Sequence, residues 1–137
     1  EVVVFFLVGP ALVARLGARG VMALAATAGL VRWVVMGSTT AAVALALVQP
    51  LHGLTFAALH LACMRVIAAT VPPGLAATAQ ATYALGAAGA SAALTLASGA
   101  LYARLGAQAF LVMSLLCALA IPLAVSRWRR GDAPCLG

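Results

Sequence analysis

Apolar runs long enough to cross a bilayer follow one another along nearly the whole chain, parted only by short polar turns. A helix needs roughly 20 mostly apolar residues to span the hydrocarbon. The chain of 137 residues therefore has room for about five spans and little else. Hydrophobic residues make up 66%, charged residues 7%, and the mean hydropathy is +1.17. An average soluble domain is about 25% charged. This chain lacks the polar groups to cover a water-facing surface. That excludes a soluble enzyme, a nucleic-acid-binding domain and a disordered tail. The expected fold class is an all-α polytopic membrane protein.

The interruptions divide the chain into segments. Glu1 to Ala14 is an apolar stub, and Ala14 to Gly20 a short polar turn. Val21 to about Gly37 is a second span, and Ser38-Thr39-Thr40 a weak break. Ala41 to about Ala69 is a long third span containing Pro50. Thr70-Val71-Pro72-Pro73-Gly74 is a turn whose paired prolines stop a helix. Ala76 to Gly99 is a fourth span, Tyr102 to Gln108 a turn, and Ala109 to Val125 a fifth span. Residues 1–125 thus read as a partial helical bundle and residues 126–137 as a basic tail. The chain starts at Glu1, and no basic region precedes the first apolar run, which is therefore not a signal peptide. It reads as a helix cut into from the left, and a fragment is expected.

The net charge is +6, from eight Arg and no Lys against Glu1 and Asp132. In a soluble protein a pI near 10.7 would suggest nucleic acid. Here it reads as positive-inside topology. Arg127, Arg129 and Arg130 follow the last span and place the C-terminus in the cytoplasm. Counting back, the Arg15–Arg19 turn, Arg65 and the Thr70–Gly74 turn face the same side. Only Arg104 falls in an outer loop, and Arg32 lies within a span. The Ala-rich composition fits a GC-rich bacterial genome, so the expected location is a bacterial inner membrane. Cys63, Cys117 and Cys135 have no zinc-site spacing and read as free thiols. Cys135 is too near the C-terminus in the wrong register for a prenylation box.

The hexapeptide Ala14-Arg-Leu-Gly-Ala-Arg19 returns as Ala103-Arg-Leu-Gly-Ala-Gln108. Three spans separate the copies, so they face opposite sides. Inverted-topology repeats of transporters give this pattern, and chance in an Ala/Leu/Arg-rich chain is the other reading.

Polar groups in hydrocarbon are costly and are functional candidates by default. Here they are Glu1, Arg32, Gln49, His52 and His60. At about 1.5 Å per residue, Glu1, Arg32 and His52 lie about 17–20 Å from the cytoplasmic edge, on three successive spans. A carboxylate, a guanidinium and an imidazole at one depth can hold each other's charge and pass a proton. Plainer readings stand beside this one. Arg32-Trp33 also fits an outer interface anchor with Arg32 snorkelling. His52 also fits a neutral packing group, and His60 a structural or gate-lining one.

On a wheel of about 100° per residue, Gln49, His52, Thr55, Phe56, His60 and Cys63 share an arc of about 140°. Such a face is expected to line a cavity. Pro50 and Gly53 would loosen the backbone beside it. On the fourth span Gly86, Gly89, Ala90, Ser91 and Ala93 form a small-residue surface, read first as helix packing. Gln80 and Tyr83 share a face near the cytoplasmic end and could meet a ligand or a gate. No catalytic constellation is present. There is no H-E-x-x-H, no nucleophile turn around Ser91, and no facing pair of aspartates. His52 and His60 share one helix and cannot clamp a haem. No metal or cofactor is expected.

Gln49-Pro-Leu-His-Gly-Leu-Thr-Phe-Ala-Ala-Leu-His60, then Pro72 and Ala79-Gln-Ala-Thr-Tyr83, resembles the phenylpropionate permease family of the major facilitator superfamily. Glu1 before Phe5-Phe6, and Arg32-Trp33 in the next span, resemble it as well. Leu12-Val-Ala-Arg15-Leu-Gly17-Ala-Arg19 is similar to the superfamily loop signature G-x-L-x-D-R-x-G-R-R. It departs from it at Ala14, where Asp is usual, and at Pro10, where Gly is. The resemblance covers nearly the whole chain. It implies helices 8 to 12 of a twelve-helix transporter, with the N-terminal half as the missing partner. It also implies proton symport of an aromatic acid or related small solute. Sugar or nucleoside symport within the superfamily, and a non-transporting membrane subunit, are the alternatives. Partners in the leading reading are the lipid bilayer, the solute and protons, and not nucleic acid.

Overall fold

A computed structural model describes residues 7–126. Glu1, Phe5, Phe6, the arginines of the tail and Cys135 lie outside the described residues. Helix α1 runs Gly9–Ser38 with Pro10 in its first turn, where a missing N–H costs nothing. Its regular geometry fails only at Gly17, with φ 66° and ψ 174°. That conformation is open essentially to glycine alone. The polar turn expected over Ala14–Gly20 is thus a one-residue break. Ala14, Arg15 and Leu16 before it stay helical, as good helix formers should.

The Ser38–Thr40 break is a true turn. Thr39 N–H bonds Val35 O at 3.1 Å, and Ala41 N–H bonds Thr39 Oγ1 at 3.1 Å. The next crossing is built of four pieces: α2 (Ala42–Val48), α3 (Pro50–Gly53), a π-helical turn (Leu54–Ala58) and α4 (Leu59–Thr70). Pro50 has no N–H, so Gln49 N–H bonds Ala46 O instead, at 3.2 Å. Val71 N–H closes α4 on Ile67 O at 2.9 Å, and Pro72 and Pro73 then stop it. After a short 3-10 turn, α5 runs Ala76–Leu105. The 3-10 turn Gly106–Gln108 leads into α6, Ala109–Ser126, which contains Pro122.

The sequence suggests about five spans; the structure has fewer. Among the described residues, three helical units are long and apolar enough to cross a membrane: Gly9–Ser38, Ala42–Thr70 and Pro73–Val125. The stub joins the second span as one helix broken only at Gly17. Pro73–Val125 holds the fourth and fifth expected spans as α5 and α6, parted only by the short Gly106–Gln108 turn. Among the described residues Gly17 and Gly106 alone have positive φ, 66° and 59°. Both sit at the same place in the repeated Ala-Arg-Leu-Gly-Ala.

Helix α1 is the centre of the packing, and α6 lies along it over much of its length. Small residues let the helices close. A β-carbon at Gly29 would stand 3.0 Å from Cys117 Sγ and 3.5 Å from Thr55 Cγ2, and one at Gly37 2.9 Å from Leu111 Cδ2. These pairs run antiparallel along α1 and α6. At the other end Val13, Val21, Ala58 and Ala62 are buried together, with Leu12, Ala18, Met22 and Leu61 against them. The close packing falls on α1, not on the small-residue surface expected of the fourth span. No residue of α5 is buried, and a β-carbon at Gly86 or Gly89 would meet nothing. The outer surface is apolar: Leu85 is 76% exposed and Leu96 79%. Such a surface suits lipid and not water. The protein is a multi-pass membrane protein.

Candidate functional site

A cavity of about 430 Å³ opens between α1, the π turn and α6. Arg32 and Trp33 of α1, His52 and Thr55 of the broken crossing, and Cys117 of α6 line it. Met22, Gly29, Leu59, Ala120 and Ala124 complete an otherwise apolar wall. Three candidate residues thus meet in one place: Arg32, His52 and Thr55.

The broken crossing sets two of them. The Thr55 hydroxyl donates to His52 O at 2.9 Å, and His52 N–H bonds Gln49 O at 2.8 Å. The chain stays tied through the break while its pitch changes. π turns often mark functional positions for this reason. Arg32 is half-buried, and its guanidinium carbon lies 4.9 Å from the Trp33 ring centroid. The ring face attracts the cation. The Arg32 Nε atom is buried and has no hydrogen-bond partner among the described residues. A buried donor left without an acceptor costs about 1–3 kcal/mol. The sequence places both carboxylate side chains, Glu1 and Asp132, outside the described residues.

The other candidates fall elsewhere. Gln49 is exposed at the Pro50 break. Phe56 is 62% exposed and stacks on His52, centroids 6.2 Å apart. His60 turns to α5, its ring 6.0 Å from that of Tyr83. Cys63 lies beside Tyr83, so His60, Cys63 and Tyr83 bring α4 against α5. Gln80 is exposed on α5. Arg15 and Arg19 are exposed on either side of the Gly17 break. Glu1, expected at one depth with Arg32 and His52, lies outside the described residues. Sequence reasoning missed Cys117, Gly29 and the alanines of α6 as cavity wall. The α6 sequence has no polar stripe to announce them. Gly29 could have been found as a lone glycine one turn before Arg32.

Cys63 and Cys117 are free thiols. No group of three or more His, Cys, Asp or Glu able to hold a metal occurs among the described residues. The arrangement sets an arginine, an imidazole and a hydroxyl around an otherwise apolar chamber. It can hold an anionic head with an apolar body.

The profile of the MFS_1 like family matches residues 1–113. A protein of Escherichia coli (strain K12) described as "Probable 3-phenylpropionic acid transporter" is 42% identical over 114 residues. The match covers 82% of this chain and 30% of that protein. The chain therefore spans under a third of the length of this relative. No solved structure matches the chain.

Proposed function

Because the chain belongs to the MFS_1 like family, we propose that it is the C-terminal part of a secondary active transporter. The transporter moves a small organic acid with an aromatic ring together with protons, by alternating access. Its work is transport and not catalysis, and it needs no cofactor. The buried Arg32 Nε without a partner among the described residues carries this reading. An incoming carboxylate supplies the missing acceptor, while Met22, Trp33 and Leu59 take the ring. The name of the Escherichia coli relative supports an aromatic acid as the solute.

Roles follow for the other residues. Arg32 binds the anionic head. Glu1 and His52 form the proton-linked pair, and Thr55 offers a hydroxyl to the solute. Gln49, Phe56 and His60 shape the path, and Gln80 and Tyr83 act at the cytoplasmic gate. Arg15, Gly17 and Arg19 belong to the loop signature. Transporters of this kind bind solute between two halves near the midplane. The N-terminal half is the partner that closes the site. The protein sits in a bacterial inner membrane with the C-terminus in the cytoplasm.

Uptake of labelled 3-phenylpropionate by the complete protein, driven by an imposed proton gradient, is the test. Arg32→Ala should lose roughly a hundredfold in uptake, as expected on removing a buried charged contact. Arg32→Lys should recover little, because an ammonium lacks the planar fork. His52→Gln should bind solute but no longer accumulate it against a gradient. Unchanged accumulation in Arg32→Ala and His52→Gln alike would sink the assignment.

A further inference from the structure

A second, larger cleft of about 690 Å³ lies between α5 and α6 on the other side of Trp33. Its chemistry differs from that of the Arg32 cavity. None of its lining residues is charged. One end is aromatic: Trp33 stacks on Phe110 with centroids 5.6 Å apart and planes at 19°. Tyr102 tilts against the same Phe110 at 6.0 Å and 54°. Aromatic rings prefer offset-stacked and tilted neighbours, so this end offers another ring both a face and an edge. The facing side carries hydroxyls of α5. Thr95 Oγ1 donates to Ser91 O at 2.8 Å, and Ser98 Oγ donates to Thr95 O at 2.9 Å. Their hydrogens are engaged on the backbone, and a hydroxyl oxygen keeps lone pairs free to accept. Thr95 and Ser98 therefore present acceptors, Ser91, Tyr102 and Trp33 add polar hydrogens, and no cation is among the lining residues. The cleft suits a ligand that brings its own donor and no negative charge.

We propose that this cleft is a second binding site, separate from the Arg32 cavity, for an uncharged aromatic alcohol of the phenol type. The ring lies against Phe110 and Tyr102, and the hydroxyl donates to Thr95 or Ser98. A carboxylate would find no cation there to offset its desolvation and is disfavoured. Trp33 lines both chambers, so its emission responds to either one, and variants confined to one chamber tell them apart.

The test uses the complete protein in lipid nanodiscs with Trp33 as its sole tryptophan. Phenol is the probe, with cyclohexanol and benzoate as controls. Phenol should shift Trp33 emission saturably. Ser98→Leu, which fills the cleft, should abolish the shift. Leu59→Phe, which narrows the Arg32 cavity, should leave it unchanged. Thr95→Val keeps the shape and removes an acceptor, and should weaken phenol by roughly up to tenfold. It also serves if Ser98→Leu does not fold. Cyclohexanol acting as well as phenol overturns the proposal in favour of a lipid-filled crevice. A benzoate response equal to that of phenol, or one lost in Leu59→Phe alone, overturns it by placing the probe beside Arg32. No saturable shift also overturns it. Each outcome leaves the transport reading untouched, because uptake is not the readout.

Discussion

At the scale of single residues, Gly29 decides how closely α1 and α6 approach. A β-carbon there would stand 3.0 Å from Cys117 Sγ, tighter than ordinary contact. Gly29→Ala should therefore destabilise the protein by about 1–3 kcal/mol, the usual range for overpacking. Cys117→Ala removes the atom in the way. The pair should show a coupling of the opposite sign in a double-mutant cycle, read by thermal unfolding in detergent. Additive losses would mean that the helices part by another route. The meeting of Arg32, His52 and Thr55 is legible in the sequence, because depth and helical spacing bring them together. Phe56 and His60 share their arc on a uniform wheel and yet leave the cavity. The wheel assumes about 100° per residue, and the π turn Leu54–Ala58 winds more loosely than that. Residues after it are rotated out of phase, so His60 meets Tyr83 instead. Nothing in the composition of Leu54–Ala58 announces a wider turn.

The broken crossing is the element where local chemistry and motion join. Pro50 deprives Ala46 O of its usual partner, and Gln49 N–H fills in. Pro50→Ala restores the missing donor and lets α2 run on into α3. Amide exchange over residues 49–55 should then slow roughly tenfold, as a gain of about 1.4 kcal/mol in local stability would give. Uptake should fall with it if the break bends during transport. Slower exchange with unaltered uptake would make the break a passive feature. Helix boundaries at Ser38–Thr40 and Pro72–Pro73 are legible because their turn residues act locally. The Gly17 junction is less so. A polar heptapeptide reads as a loop, but six of its residues keep helical geometry and one glycine takes the whole change of direction.

For the whole molecule, the apolar exterior and the few buried side chains follow from one composition. Small residues build the interior contacts and large ones face outward: Val43 and Leu47 are each 73% exposed. All-α architecture is legible from the length of the apolar runs. Which faces pack is not, because every face is apolar and hydrophobic patterning loses its contrast in lipid. The two thiols give a test at this scale. Cys117 borders both the Arg32 cavity and the aromatic cleft, whereas Cys63 lies by Tyr83. In the complete protein, 3-phenylpropionate should slow alkylation of Cys117 by a small maleimide and leave Cys63 unaffected. Equal protection of both would point to a global closure in place of an occupied cavity.

Gly17 precedes the long arm of α1, and Gly106 precedes α6. These two segments run antiparallel in close contact, so the glycines stand at opposite ends of the pair. Each glycine marks the point where its chain changes direction before it enters the pair. The Arg32 cavity lies on one flank of Trp33 and the aromatic cleft on the other. The indole is a wall common to both, so whatever fills one chamber bears on a boundary of the other.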